Sequence, residues 1–224
     1  MKKFLKHSGL LLAYYIAYQF GAQFLQLPWA TEQVEGIPAS AAEGLYWFGL
    51  IVGLPLLIGF SYLLWKVLYP RQTMQLTLDK PWLKHMAYPL LAYLAFFILQ
   101  FLVPVPESDN QKNAVAFIQS APIHSFFLVV IFAGIFEELI FRGFMATYFF
   151  PKLSDVKSVV LYGLVSGTLF SFVHGPATLP QFLIYFTMGI TFAWLYLVKQ
   201  DIRYPMALHM LNNGISYLMI LFLA

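Results

Sequence analysis

The sequence predicts an all-α protein, a polytopic bundle of about seven transmembrane helices. Three observations carry this. Of 224 residues, 60% are hydrophobic and only 10% charged, whereas a soluble globular domain carries about 25% charged residues. The mean hydropathy is +0.72. The apolar residues also gather into seven runs of the length that crosses a bilayer, about 20 helical residues. No linker or internal repeat divides the chain, so it reads as one membrane domain, 1–224. Within it, 1–124 supply spans without a motif and 125–224 carry the polar positions.

The first run, 9–27, follows Lys2, Lys3 and Lys6. It resembles a signal peptide in charge, but no small-residue cleavage site interrupts it, so it is expected to be an uncleaved span. The second, third and fourth runs are 45–68, 86–105 and 126–150; the last three are 158–173, 181–198 and 206–223. Between the third and fourth runs, 104–125 begins with a polar turn, and its later half is weakly apolar and broken by Pro122. That half is expected to lie on the outer interface as a short helix. Basic residues alternate between loops. Glu32, Glu35 and Glu43 stand alone in one loop, while Lys66, Arg71, Lys80 and Lys84 fill the next. Lys152, Lys157, Lys199 and Arg203 continue the pattern. By the positive-inside rule the N-terminus is cytoplasmic and the C-terminus outside, in a multi-pass protein of the cell membrane. The basic residues sit in these short loops, and the net charge is only +3, so no nucleic-acid surface is expected.

The fourth run holds three charged residues in its middle, Glu137, Glu138 and Arg142. Each costs ~2.5–3.5 kcal/mol or more at that depth, so such residues mark function by default. Glu138 and Arg142 are four apart with the acid first, the better order for a helical ion pair. Glu137 points about 100° away from Glu138, and no basic residue stands three or four positions from it. A desolvated carboxylate has its proton affinity raised, which suits a general base or a metal ligand. The bland alternative is a buried ion pair that pins helix packing.

Three more polar residues stand out. His174 ends the fifth run, and His209 and Asn213, four apart, share a face in the seventh. Asn212 points elsewhere, and His7, His85 and His124 fall at expected interfaces. One intramembrane histidine is often only a hydrogen bond to a neighbouring helix. A carboxyl, two imidazoles and an amide on three membrane segments suit water activation instead. The carboxylate takes a proton from water, imidazoles hold that water or a metal, and the amide donates to an oxyanion. With no cysteine, thiolate chemistry and zinc–sulfur sites are excluded. There is no His-Glu-x-x-His, no Gly-x-Ser-Gly and no aspartate within a span. The loop alternation places His174 near the outer end of its span and His209 near the inner start of its own. One shared site then requires irregular backbone lining a wet cavity.

Glu137-Glu138-x-x-x-Arg142, Phe170-x-x-x-His174 and His209-x-x-x-Asn213, in this order, resemble the three motifs of the CAAX protease and bacteriocin-processing family, also called the Abi family. The resemblance covers about 125–220. It implies an intramembrane endopeptidase with Glu137 as general base, His174, His209 and Asn213 completing the site, and Glu138 and Arg142 in support. It implies a peptide or protein substrate presented at the bilayer, in processing or in bacteriocin self-immunity. It leaves open whether a divalent metal such as zinc takes part. Two other readings compete. One is a non-enzymatic immunity or regulatory protein that binds a peptide or partner. The other is a proton-coupled transporter, which lacks the repeat symmetry expected of that class.

Overall fold

The computed structural model describes residues 2–71, 75–76, 80–81, 85–102 and 105–223. Lys84 of the topology pattern, and the ends of the third run and following loop at Val103 and Pro104, lie outside them. The described chain forms helices α1 (Lys2–Leu25), α2 (Leu27–Glu32), α3 (Ala39–Leu68), α4 (Ala87–Leu102), α5 (Asp109–Ser120), α6 (Pro122–Tyr148), α7 (Val156–Val173), α8 (Leu179–Lys199) and α9 (Arg203–Leu223). Two strands of two residues, β1 (Gln75–Leu76) and β2 (Lys152–Leu153), pair in parallel.

Where they are described, the seven apolar runs lie on helices over most of their length. Five of these, α3, α6, α7, α8 and α9, are long and apolar enough to cross a membrane, and α4 carries a shorter apolar stretch, Ala87–Gln100. The chain is therefore a multi-pass membrane protein. Helix α1 is long but less apolar, because Tyr14, Tyr15, Tyr18, Gln19 and Gln23 interrupt its run. One expectation needs correcting. The polar turn expected at the start of 104–125 is helical from Asp109 on, while the short helix and the break at Pro122 are both present, and Pro122 opens α6. Proline suits a first helical turn, where its missing N–H has no partner to lose.

Helix α6 is irregular. It is π-helical over Phe126–Phe132 and again over Leu139–Phe144, with the α-helical turn Ala133–Glu138 between. Wide turns of this kind occur mostly at functional sites. Here they flank the glutamate pair.

The chain divides into two compact units. The first comprises 1–67, 113–137 and 209–224; the second 68–112 and 138–208. In the first, α1 and α3 approach closely at small residues. A Cβ on Gly53 would lie 3.0 Å from Leu25, and one on Gly21 3.0 Å from Leu57. Such glycines let membrane helices pack without a hydrophobic drive. Ile118, Val130 and Tyr217 form a core there, and the Tyr217 hydroxyl donates to the Pro122 carbonyl at 2.9 Å. His124, expected at an interface, is fully buried, with Nε2 3.0 Å from the Tyr46 carbonyl.

In the second unit, α7 and α8 form an antiparallel hairpin. Both start with reciprocal caps. Asp155 and Ser158 cap α7, and Thr178 and Gln181 cap α8, each satisfying orphan N–H groups. The helices touch at Gly167 and Gly189, where a Cβ on Gly189 would sit 2.9 Å from the Gly167 Cα. At the far end, Arg203 holds Asp201 at 2.6 Å, and these hydrogen bonds pull the Asp201 carboxyl below its usual range.

Candidate active site

The motif residues fall in both units. Glu137, His209 and Asn213 belong to the first; Glu138, Arg142 and His174 belong to the second.

In the second unit the expected ion pair is present. Arg142 Nη1 donates to Glu138 Oε1 at 2.7 Å, and both side chains are fully buried. The second terminal nitrogen of the guanidinium is engaged too, while Nε is buried without a hydrogen-bond partner. Nη2 donates to the Gly189 carbonyl at 2.7 Å. The cation lies 4.8 Å from the Phe170 ring and 5.3 Å from the Phe192 ring. Aromatic faces and a helix carbonyl thus share the charge with the carboxylate. Ser166 Oγ donates to the Phe141 carbonyl at 3.0 Å, linking α7 to the wide turn of α6.

His174 caps the C-terminus of α7, and Gly175 follows at φ +60°, the left-handed turn that glycine adopts without strain. His174 Nδ1 lies 2.7 Å from the Phe170 carbonyl. A carbonyl only accepts, so Nδ1 carries the proton, and a neutral ring has its lone pair on Nε2. The ring stacks on Tyr185, with centroids 4.4 Å apart and planes 23° apart. Phe170 flanks it at 4.6 Å.

In the first unit, Glu137 is half-buried at the end of the α-helical turn of α6, and His209 is buried, two turns into α9. Asn213 Nδ2 donates to the Val129 carbonyl at 2.9 Å, inside the first π-helical stretch. Asn212 Nδ2 donates to Asn213 Oδ1 at 3.1 Å. One of the two Asn213 amide hydrogens is therefore engaged, and the other points on. Gly134 lets α6 come close to Met210 of α9, where any side chain would collide. These contacts fix how α9 lies against the start of α6, one turn before Glu137.

Among the described residues of either unit, no three His, Cys, Asp or Glu side chains gather closely enough to hold a metal ion. Tyr185 and Gly189 are neighbours that sequence reasoning missed, and Asn212, expected to point elsewhere, instead hydrogen-bonds Asn213. Only Asn212 had a visible signal, its place beside Asn213.

Residues 119–215 match the family model described as type II CAAX prenyl endopeptidase Rce1-like. Among curated proteins, the chain is 33% identical over 113 residues to "Putative membrane peptidase YdiL" of Bacillus subtilis (strain 168), a match that covers 50% of this chain and 43% of that protein. It is 27% identical over 110 residues to "Membrane-embedded CAAX protease MroQ" of Staphylococcus aureus (strain USA300), covering 48% of this chain and 43% of that protein. These alignments span less than half the length of the curated relatives. No solved structure matches. All six motif residues lie inside the matched stretch, so 119–215 is similar to the type II CAAX prenyl endopeptidase Rce1-like model over the same residues that carry the ordered motifs.

Proposed function

We propose that this chain is a membrane-embedded endopeptidase in which Glu137 activates water. The observation that carries the reading is the coincidence of two things. The family match covers 119–215, and within it stand the carboxyl, imidazole and amide groups that the chemistry needs.

Glu137 takes a proton from a water molecule, and the resulting hydroxide attacks the carbonyl carbon of a peptide bond. Negative charge develops on the carbonyl oxygen. His209 and the remaining Asn213 amide hydrogen donate to it, which is where such donors lower the barrier most. The intermediate collapses, the C–N bond breaks, and Glu137 returns the proton to the leaving amine. His174 positions the water through Nε2. Glu138 and Arg142 hold the helix that carries the base. Supporting this division of labour, the Glu138 and Arg142 charges are directed at each other, whereas Asn213 and His174 are each oriented by a hydrogen bond to a backbone carbonyl. The substrate is a peptide or protein segment presented at the bilayer. The basic loops orient the chain with its N-terminus in the cytoplasm.

Glu137→Gln keeps the shape and removes the base. In purified full-length protein it is expected to lower peptide cleavage by about 10²–10⁴-fold. Undiminished cleavage by that variant would leave a non-enzymatic binding protein as the better reading.

A further inference from the structure

The proposed mechanism asks His174 to aim one nitrogen, yet His174 stands at a helix end, where a ring swings easily. The second unit contains the parts that prevent this. The Nδ1 bond to the Phe170 carbonyl restrains the ring in its plane. It leaves tilt out of that plane open. Tyr185 closes that freedom by lying nearly parallel to the imidazole at 4.4 Å.

Tyr185 is itself held. Its hydroxyl is 3.0 Å from Ser108 Oγ, and Asn110 Nδ2 donates to it at 3.4 Å. Ser108 is buried and also accepts from the Gln111 N–H, at the start of α5. Gln181, one turn before Tyr185 on α8, donates from Nε2 to the Pro106 carbonyl at 2.9 Å. Its Oε1 accepts from the Ala177 and Thr178 N–H groups in the turn after His174. The segment 106–110 is therefore fastened twice to the first turns of α8, and the second fastening ends on the ring that stacks on His174.

We propose that Tyr185 is a positioning residue for His174, and that Ser108 and the 106–110 segment set the Tyr185 ring. This deepens the endopeptidase reading and depends on it only for the catalytic readout. A misplacement of about 1 Å in a positioned group costs about a hundredfold in rate. Removing the stack is accordingly expected to lower kcat while KM stays near its value. A merely structural tyrosine would do neither selectively.

The experiment compares Tyr185→Phe, which keeps the ring and loses the hydroxyl, with Tyr185→Leu, which loses the ring, in purified full-length protein. The first measurement needs no activity. Histidine side chains are labelled with ¹⁵N, and the His174 signal is identified by its loss in His174→Gln. Tyr185→Leu is expected to move or broaden that signal alone, and Tyr185→Phe, which keeps the stack but loses the hydroxyl's anchors, to disturb it less. The second measurement is peptide cleavage. There Tyr185→Leu is expected to lose about tenfold to a hundredfold in kcat, and Tyr185→Phe to recover most of it. An unmoved His174 signal in Tyr185→Leu overturns the inference, and so does an unchanged kcat in an active protein. If wild type and Glu137→Gln cleave alike, the endopeptidase reading fails, and the resonance measurement still decides whether Tyr185 positions His174. A Tyr185→Leu protein that does not fold hands the decision to Ser108→Ala, which is expected to disturb the same signal less and is overturning if it does not disturb it.

Discussion

Arg142 shows how a full positive charge is kept inside this protein. Its guanidinium meets a carboxylate, a helix carbonyl and two aromatic faces without reaching water. Removing one partner leaves the other charge buried and uncompensated, which is the costly case. Glu138→Gln is expected to destabilise by about 3–5 kcal/mol, read as a lower midpoint of unfolding in detergent. Replacing both charges, with Glu138→Leu and Arg142→Met together, is expected to recover most of that loss. If the single and double variants are equally unstable, the pair is not what holds this region. The four-residue spacing made the Glu138–Arg142 contact legible in the sequence. The Gly189 carbonyl and the Phe170 and Phe192 rings were not legible, because no local period relates them to Arg142. The same is true of the candidate site. His174 was visible as a polar residue out of place, but Tyr185, eleven positions on, looked like one more aromatic in an aromatic-rich chain.

At the scale of the elements, two glycines on one helix have opposite roles. Gly167 of α7 sits against Gly189 of α8, and a Cβ on Gly189 would also lie 3.1 Å from the Phe170 Cβ. Gly163, one turn away, has nothing within 4 Å of where a Cβ would stand. Gly189→Ala is therefore expected to destabilise by about 1–3 kcal/mol through overpacking. Gly163→Ala is expected to stabilise by up to about 1 kcal/mol, since glycine is a poor helix former. Thermal unfolding of the two variants side by side checks both. Apolar runs located the helices well, because a membrane span must be apolar over most of its length. They located the helix starts poorly. Asp109 and Pro122 begin helices through terminal chemistry that an apolar count does not register. The π-helical stretches of α6 were invisible, since a change from 3.6 residues per turn leaves no mark in a run that is apolar all round.

For the whole molecule, the arrangement of basic loops makes a prediction about sides. The chain has no cysteine, so single cysteines report without background. Lys112→Cys is expected to react with a membrane-impermeant maleimide on intact cells, and Lys157→Cys only after permeabilisation. The reverse pattern would invert the topology read from the charges. The α7–α8 hairpin bears on how such a chain is made. Each of its helices carries its own start signal, and few residues link them. Contacts between near neighbours in sequence form before distant ones, because less chain entropy is lost in closing them. During biogenesis this pair can therefore leave the translocon as a preassembled wedge, with Gly189 already against Gly167. The earlier-made Arg142 would then find its carbonyl waiting rather than having to assemble it.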